Sequence, residues 1–396
     1  MNQCVILAGG KGSRLGEITK NYPKPMLEIN QKPFLISLLD MINRFGFDEV
    51  LLLASHANSV LIKYFKDLKY KNCNIKIIIE EVALGTGGAI INAYDLLEDT
   101  FYCINGDSII EGNWLSLNPL LKKKYKAVMA LTKVNNSSRY GSVELNNNTV
   151  VKFNAKYNNS ESNLINGGIY LLRKEIFKNY EKKFISLEND IFPSLIKAEE
   201  LGGIKINGYF IDIGTLESLE VAKKRTWGEA KKAVIFDRDG TLNIDKGYTH
   251  KVEDLKWIDG AKNLIKYLND LNYFVFVVTN QAGIAKGKYS EDSMHKFHKA
   301  MQDSLIKKGA HIDKIYYCPY HIDGIKNEYK KKSNNRKPAT GMLENIVSEW
   351  NIKKNNMILI GNSDTDIDCA NNFNIPGFKY NGLDNLMKFF LKSVKY

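Results

Sequence analysis

The sequence predicts an α/β protein built as two three-layer domains with mostly parallel sheets. Short apolar runs such as Val5–Ala8, Phe101–Asn105, Ala233–Phe236 and Met357–Ile360 recur along the chain and end in glycine or acidic residues. Runs of that length without polar alternation suit strands buried on both faces. Between them lie stretches with apolar residues at helical spacing, for example Phe34–Phe45 and Asp259–Leu271. The whole alternation occurs twice, on either side of a polar, lysine-rich joint, Glu217–Lys232. The expected division is therefore a first domain over 1–225, a linker over 226–232 and a second domain over 233–396.

At 396 residues, 44% hydrophobic and 25% charged, both halves are long enough to bury a core. No run approaches 18 consecutive apolar residues, so no membrane span is expected. The chain enters a strand at once, without a basic leader and cleavage site, which points to the cytoplasm. The five cysteines lack a CxxC or paired framework, as in a reducing compartment. The net charge of +12 comes from 29 basic against 24 acidic side chains in residues 1–228 and 27 against 20 beyond. That excess is spread over both halves and forms no single basic stripe, so neither nucleic acid nor a membrane is an expected partner. Homo-oligomerisation is left open.

In the first domain, Val5–Ala8 breaks into Gly9-Gly10-Lys11-Gly12-Ser13-Arg14, and Lys24 follows between Pro23 and Pro25. Glycines there allow a sharp turn that aims backbone N–H groups at one spot, while Arg14 and Lys24 add a donor fork and a point charge. A structural turn and a phosphate cradle are both open readings of the glycines alone. Glu49–Ala54 and Ile75–Ile79 read as strands, the second followed by Glu80 and Glu81. A second glycine cluster, Gly85-Thr86-Gly87-Gly88, opens a helix over Ala89–Leu97. Phe101–Asn105 then ends in Gly106-Asp107, and Tyr209–Ile211 in Asp212. Acids at the carboxyl ends of strands face the crevice of such a sheet, and two of them with phosphate oxygens complete a hard cation site. Either aspartate alone also suits a turn or cap.

LAGGKGSRL with PKPM resembles the sugar-phosphate nucleotidyltransferases over roughly residues 3–225. The resemblance implies a Rossmann-like domain that binds a nucleoside triphosphate through Gly9, Gly10, Gly12, Ser13, Arg14, Lys24, Gly85, Thr86, Gly87 and Gly106, with Arg14 and Lys24 catalytic. It assigns Mg²⁺ to Asp107 and Asp212, and the sugar phosphate to Gly141, Lys156, Asn166 and Gly167. Ala155 stands where the family has Glu before that lysine, so one sugar contact is missing. Ser186-Leu187-Glu188 and FIDIGT resemble the heptose 1-phosphate guanylyltransferases, which implies GTP and heptose 1-phosphate as substrates.

The second domain opens with Ala233–Phe236 and Asp237-Arg238-Asp239-Gly240-Thr241. Two carboxylates at i and i+2 after a strand raise a pKa or demand a cation. Tyr273–Val278 leads into Thr279-Asn280-Gln281, Arg336-Lys337-Pro338 supplies cations, and Met357–Ile360 leads into Gly361-Asn362-Ser363-Asp364-Thr365-Asp366. All would meet at one edge of a parallel sheet.

DxDGT resembles the haloacid-dehalogenase-like (HAD-like) phosphatases, which implies a Rossmannoid fold. DRDGTLNIDKGY, TNQAGIAKG and RKPATGM resemble the heptose 1,7-bisphosphate phosphatases, with histidinol-phosphate phosphatase a near relative. The resemblance implies Asp237 as nucleophile, Asp239 as acid and base, and Thr279, Asn280, Arg336 and Lys337 against the phosphate. It gives Mg²⁺ to Asp237, Asp239, Asn362 and Asp366. Two departures stand out. Ser333-Asn334-Asn335 replaces a cysteine pair of the family's zinc loop, leaving Cys318, so no zinc is expected. Asn362 replaces an acid, which weakens Mg²⁺ or passes its place to Asp364.

Together the resemblances imply a bifunctional enzyme that removes the C7 phosphate of heptose 1,7-bisphosphate and joins heptose 1-phosphate to GMP from GTP, making GDP-heptose for surface polysaccharide. Another sugar or base for the transferase, another phosphoester for the phosphatase, and a non-catalytic second half are the alternatives.

Overall fold

The computed structural model describes residues 3–10, 13–19, 22–54, 58–65, 69–71, 73–121, 124–134, 140–154, 163–224 and 231–394, without the side chains of residues 13, 14, 17, 58 and 69. The chain divides into two compact units, Met1–Arg225 and Thr226–Tyr396. Most of the expected linker, residues 226–230, lies outside the described residues.

In the first unit, Gln3–Leu7 lies between Glu49–Ala54 and Thr100–Asn105, parallel to both, and Cys73–Ile79 extends the parallel set. Val5, Leu51, Leu53, Phe101 and Cys103 join one core, with Ala89, Ile90 and Ile91 of the helix Gly85–Asn92. Their neighbours Cys4, Ile6, Leu52, Tyr102 and Ile104 are buried on the opposite face. Burial on both faces is why these strands read as unbroken apolar runs.

Beyond Thr100–Asn105 the sheet differs from the mostly parallel expectation. Leu164–Arg173 runs antiparallel to both Thr100–Asn105 and Ala127–Lys133. Val143–Asn146 and Thr149–Phe153 form a hairpin turning at Asn147, whose φ is +53°. Parallel strands need a crossover of about a dozen residues, and the two residues between these strands permit only a hairpin.

The second unit keeps the parallel pattern throughout. Its five strands stand in the order Lys314–Cys318, Phe274–Asn280, Ala233–Phe236, Met357–Gly361, Gly377–Lys379. Val234, Phe236, Val275 and Val277 face the helices Ala261–Asp270 and Glu291–Ile306. Ala233, Ile235, Phe274 and Phe276 face Gly341–Trp350 and Asp364–Phe373. Alternate side chains therefore fill two cores, and the unit has three layers. Among the described residues no helix is long and apolar enough to cross a membrane.

Two candidate active sites

In the first unit the site begins where Gln3–Leu7 runs out into Gly9 and Gly10. Lys24 opens a short 3-10 turn, Lys24–Met26, closed by Met26 N–H donating to Pro23 O at 2.8 Å. The turn lies against Gly106, where an added Cβ would fall 2.8 Å from Leu7 O and 2.9 Å from Pro25 Cγ. Only glycine fits that approach, and it brings Lys24 beside Asp107. Lys24 Nζ donates to Asp107 Oδ2 at 2.8 Å. Asp212 arrives from another direction, because Tyr209–Asp212 pairs antiparallel with Ser108–Glu111 and sets Asp212 opposite Ser108. Its Oδ1 accepts the Gly214 N–H at 2.5 Å. Lys24, Asp107 and Asp212 line one cavity of about 370 Å³.

That cavity also meets Tyr140, Gly141, Asn166 and Gly168. A second, of about 680 Å³, shares Lys24, Asn105, Asp107 and Glu188 with it, and extends past Gly9, Gly10 and Gly106 to Glu80, Gly85, Thr86 and Phe184. Two adjoining cavities with a lysine–carboxylate pair at their junction suit two anionic ligands that react with each other.

The sequence-predicted residues fall unevenly on this geometry. Gly12 and Lys156, and the side chains of Ser13 and Arg14, lie outside the described residues. Gly87 lends no N–H to a ligand, since it donates to Ile185 O at 2.9 Å. Gly85, with φ +76°, and Gly87 answer to that same segment: an added Cβ would sit 2.6 Å from Ile185 O and 2.8 Å from Ile185 Cγ2 respectively. Thr86 Oγ1 donates to Glu188 Oε2 at 2.9 Å and accepts from Leu187 N–H at 2.8 Å. Gly167 packs on Ile110, while Gly168, at φ +72°, lines the cavity. Asn166 is engaged within its own strand, donating to Tyr170 OH at 2.8 Å and accepting from Gly168 N–H at 3.0 Å.

In the second unit, Asp237 follows Ala233–Phe236 and donates its N–H to Ile360 O at 2.9 Å. Lys337 is 3% exposed and its Nζ donates to Asp237 Oδ1 and Asp366 Oδ1, each at 2.5 Å, and to Val278 O at 2.8 Å. Burial pushes the Asp237 carboxyl up to about 6, against the opposing pull of Lys337, with the Asp366 charge adding to the rise. Asn280 clasps the lysine's backbone: its Nδ2 donates to Lys337 O at 3.1 Å and its Oδ1 accepts Lys337 N–H at 3.0 Å. Asn280 thus sets Lys337, and keeps one amide N–H of its Nδ2 beyond these two bonds.

Asp239 is held by four donors. Arg238 Nε and Asn243 Nδ2 reach Oδ1 at 3.0 and 2.9 Å, and Arg238 Nη2 and Gln281 Nε2 reach Oδ2 at 2.6 and 3.0 Å. Gln281 Nε2 also donates to Thr279 Oγ1 at 2.9 Å. Arg238 is wholly buried, also donating to Thr249 O at 2.6 Å and lying over the Phe297 ring. His298 Nε2 lies 3.0 Å from its Nη1 and, facing an obligate donor, is the acceptor. Burial and the neighbouring guanidinium push His298 well below its ordinary range.

Asn362 is exposed beside Gly240 and accepts from Thr241 Oγ1 at 3.4 Å. Asp364 points to solvent and pairs with Lys379 at 2.6 Å. Asp366 is engaged at both oxygens: Lys337 takes Oδ1, and Ser363 N–H and Oγ donate to Oδ2 at 3.0 and 2.6 Å. Arg336 Nη1 reaches Tyr320 O at 3.5 Å. Sequence reasoning passed over Arg238, the middle residue of DxD, and Glu80, the first residue past a strand. Position at a strand's carboxyl end was the available signal for Glu80, whereas nothing local marked Arg238.

The family model described as nucleotidyl transferase matches residues 3–227, and that described as polynucleotide kinase 3 phosphatase matches 232–376. Over 218 residues the chain is 38% identical to a D-glycero-alpha-D-manno-heptose 1-phosphate guanylyltransferase of Campylobacter jejuni, covering 54% of this chain and 96% of the relative. Over 164 residues it is 36% identical to a D-glycero-beta-D-manno-heptose-1,7-bisphosphate 7-phosphatase of Rhodopseudomonas palustris, covering 41% of this chain and 90% of the relative. The crystal structure of HddC from Yersinia pseudotuberculosis is similar at a TM-score of 0.51 and 32% identity, covering 57% of this chain and 99% of that one. The same protein complexed with GMP-PN gives 0.50 and 31%, over 57% of this chain and 99% of that one.

Proposed function

The chain belongs to the nucleotidyl transferase family through its first unit and to the heptose-bisphosphate 7-phosphatases through its second, and on that premise we propose that it makes a nucleotide-activated heptose in two steps. The second unit removes the C7 phosphate of D-glycero-D-manno-heptose 1,7-bisphosphate. The first joins the resulting heptose 1-phosphate to GMP from GTP, releasing pyrophosphate. One observation carries the reading: the chain covers almost the whole length of two relatives whose names, the anomer apart, make the first one's product the sugar phosphate of the second. The reading sets both reactions in the cytoplasm, where GTP is available.

In the phosphatase unit, Asp237 attacks the C7 phosphorus, the bond from phosphorus to the sugar oxygen breaks, and an aspartyl-phosphate forms. Asp239 gives its proton to the departing oxygen and then takes one from the water that releases phosphate. Lys337 steadies the nucleophile and offsets charge on the transferred group, supported by its 2.5 Å contact with Asp237. Asp366 is assigned to holding Lys337, since both of its oxygens are engaged. In the transferase unit, a phosphate oxygen of the sugar attacks the α-phosphorus in line and displaces pyrophosphate. Lys24, with Arg14, neutralises the charge that develops.

The family resemblance implies Mg²⁺ in both units, and the donor sets fit a hard cation. Asp107 and Asp212 would hold it in the first; Asp237, the Asp239 backbone carbonyl and Asn362 would in the second. Asp107 Oδ1 and Asp237 Oδ2 take no bond among the described residues. Among the described residues no three His, Cys, Asp or Glu side chains gather as a metal cluster, so water and substrate oxygens would complete either shell. The cation would supply Lewis-acid neutralisation of phosphoryl charge. No zinc is proposed, because Ser333, Asn334 and Asn335 offer no thiolate beside Cys318.

The two relatives' names differ in anomer, β for the bisphosphatase and α for the guanylyltransferase. Consecutive action in one chain requires both units to accept the same anomer, so the test supplies each. With Mg²⁺ and GTP, wild type should release phosphate and pyrophosphate from one anomer of the bisphosphate. Asp237→Asn should stop phosphate release yet spare transfer to heptose 1-phosphate, and Asp107→Ala should do the reverse. No phosphate from any sugar bisphosphate would overturn the phosphatase assignment in favour of a non-catalytic second unit.

A further inference from the structure

The residue between the two aspartates of the second unit is a cation with no exposed surface. Arg238 comes one residue after Asp237 at the end of Ala233–Phe236, and its exposure is 0%. A guanidinium held out of water is costly unless its donors are used, and four of its five N–H groups are placed. Two form a fork on the neighbouring carboxylate, Nε donating to Asp239 Oδ1 at 3.0 Å and Nη2 to Oδ2 at 2.6 Å. A fork that spans both oxygens fixes the plane of a carboxylate as well as its place, which a single donor does not. Asn243 and Gln281 add one neutral donor each, and Gln281 shares the same Nε2 with Thr279 Oγ1.

The guanidinium is itself held by groups from two other segments. Its Nη2 also donates to Thr249 O at 2.6 Å. The helix Glu291–Ile306 supplies Phe297, whose ring centroid lies 4.8 Å from Arg238 Cζ, and His298, whose Nε2 lies 3.0 Å from Nη1. His298 is the acceptor in that contact and is therefore neutral, in keeping with its burial beside the guanidinium. Arg238 thus ties Asp239 to the helix from behind, while 20% of the aspartate side chain stays exposed. We propose that Arg238 is a positioning residue of the phosphatase, its fork aiming Asp239 at the sugar oxygen that leaves phosphorus and His298 holding the fork in register. The proposal deepens the phosphatase reading and rests on it. The proton still passes from Asp239 to the departing oxygen, and Arg238 gives up none.

The test compares two phosphoesters on the full chain with Mg²⁺, heptose 1,7-bisphosphate and p-nitrophenyl phosphate. A sugar oxygen needs a proton in order to leave, whereas nitrophenolate leaves without one. Since kcat/KM covers the steps up to that departure, a misplaced Asp239 tells on the sugar ester and spares the aryl ester. Arg238→Lys keeps the charge and loses the fork. It should lower kcat/KM for the bisphosphate by about 10–100-fold, a share of what general acid catalysis supplies, and for p-nitrophenyl phosphate by less than about threefold. Nitrophenolate should also appear as a burst followed by slow turnover, because Asp239 activates the water that releases phosphate. Equal losses on the two esters would mark general damage to the site and overturn the proposal, as would no loss on either. Should Arg238→Lys fail to fold, two substitutions of His298 decide. His298→Leu removes the acceptor and should lower kcat/KM for the bisphosphate alone by about three- to tenfold, and His298→Gln, which keeps an acceptor, should restore it to within about twofold. Equal activity of these two variants would overturn the proposal. Each of those failures leaves the phosphatase reading standing. Wild type that hydrolyses no phosphoester would overturn the reading and the proposal together.

Discussion

Lys337 shows how one buried side chain organises the second site. Its ammonium lies between two carboxylates and a carbonyl with almost no water. Removing it by Lys337→Met leaves two like charges buried without a counter-ion, a loss of about 3–5 kcal/mol where a buried pair is broken. Phosphate release should fall by about 10²–10³-fold or more, as when a preorganised charge donor is lost, and the thermal midpoint should drop. Activity and melting on one preparation check both; an unaltered midpoint would remove Lys337 from its structural role.

The raised Asp237 carboxyl gives the site a pH signature. The nucleophile must be ionised, so phosphate release should rise with pH, through about 6 where Mg²⁺ is scarce and at lower pH as Mg²⁺ saturates. Stability runs the other way. A carboxyl raised in the folded state contributes stability that is present below its unfolded value, about 3.9, and is lost as pH rises through about 6. Metal-free protein should therefore lose this contribution between those values, and Mg²⁺ at pH 7 should restore it by standing where the proton stood. Melting against pH with and without Mg²⁺ tests the sign. Asn362→Asp adds a charge to the proposed ligand set, and should lower the Mg²⁺ concentration for half-maximal phosphate release severalfold.

At the scale of elements, the glycine segment that opens the helix Gly85–Asn92 distinguishes packing from binding. An added Cβ at Gly88 would stand 2.5 Å from Lys183 O, whereas one at Gly10 would meet nothing within 4 Å. Gly88→Ala should cost about 1–3 kcal/mol as overpacking and displace the wall of the larger cavity, raising KM for the nucleotide. Gly10→Ala should leave the melting temperature unchanged, so any loss it causes reports on the ligand. Melting curves paired with nucleotide KM values separate the two.

The same segment marks where the sequence stops being readable. Apolar runs located the strands well: Glu49–Ala54 and Ala233–Phe236 match to the residue, and the acids at strand ends line the cavities or flank Lys337. Strand ends are legible because backbone geometry alone carries the next side chain to the sheet edge. The partners of those side chains are set by distant chain segments. Nothing local to Gly87 announces that its N–H is taken by Ile185, nor local to Asp366 that Lys337 and Ser363 consume its oxygens. Arg238 was equally opaque, because a charged residue between two aspartates reads as surface until Phe297, His298 and Thr249 are seen to enclose it.

At the scale of the molecule, each of the two units carries a lysine–carboxylate centre of its own, Lys24 with Asp107 in one and Lys337 with Asp237 in the other. The central claim is that the two centres perform different steps on one sugar and need only a diffusing intermediate between them. Mixing Asp237→Asn with Asp107→Ala in one vessel, with heptose 1,7-bisphosphate, GTP and Mg²⁺, measures this directly. Neither variant alone should form the nucleotide sugar, and the mixture should form it at a rate that grows with the amount of both. Product from either variant alone, or none from the mixture while each variant keeps its remaining partial reaction, would contradict the account.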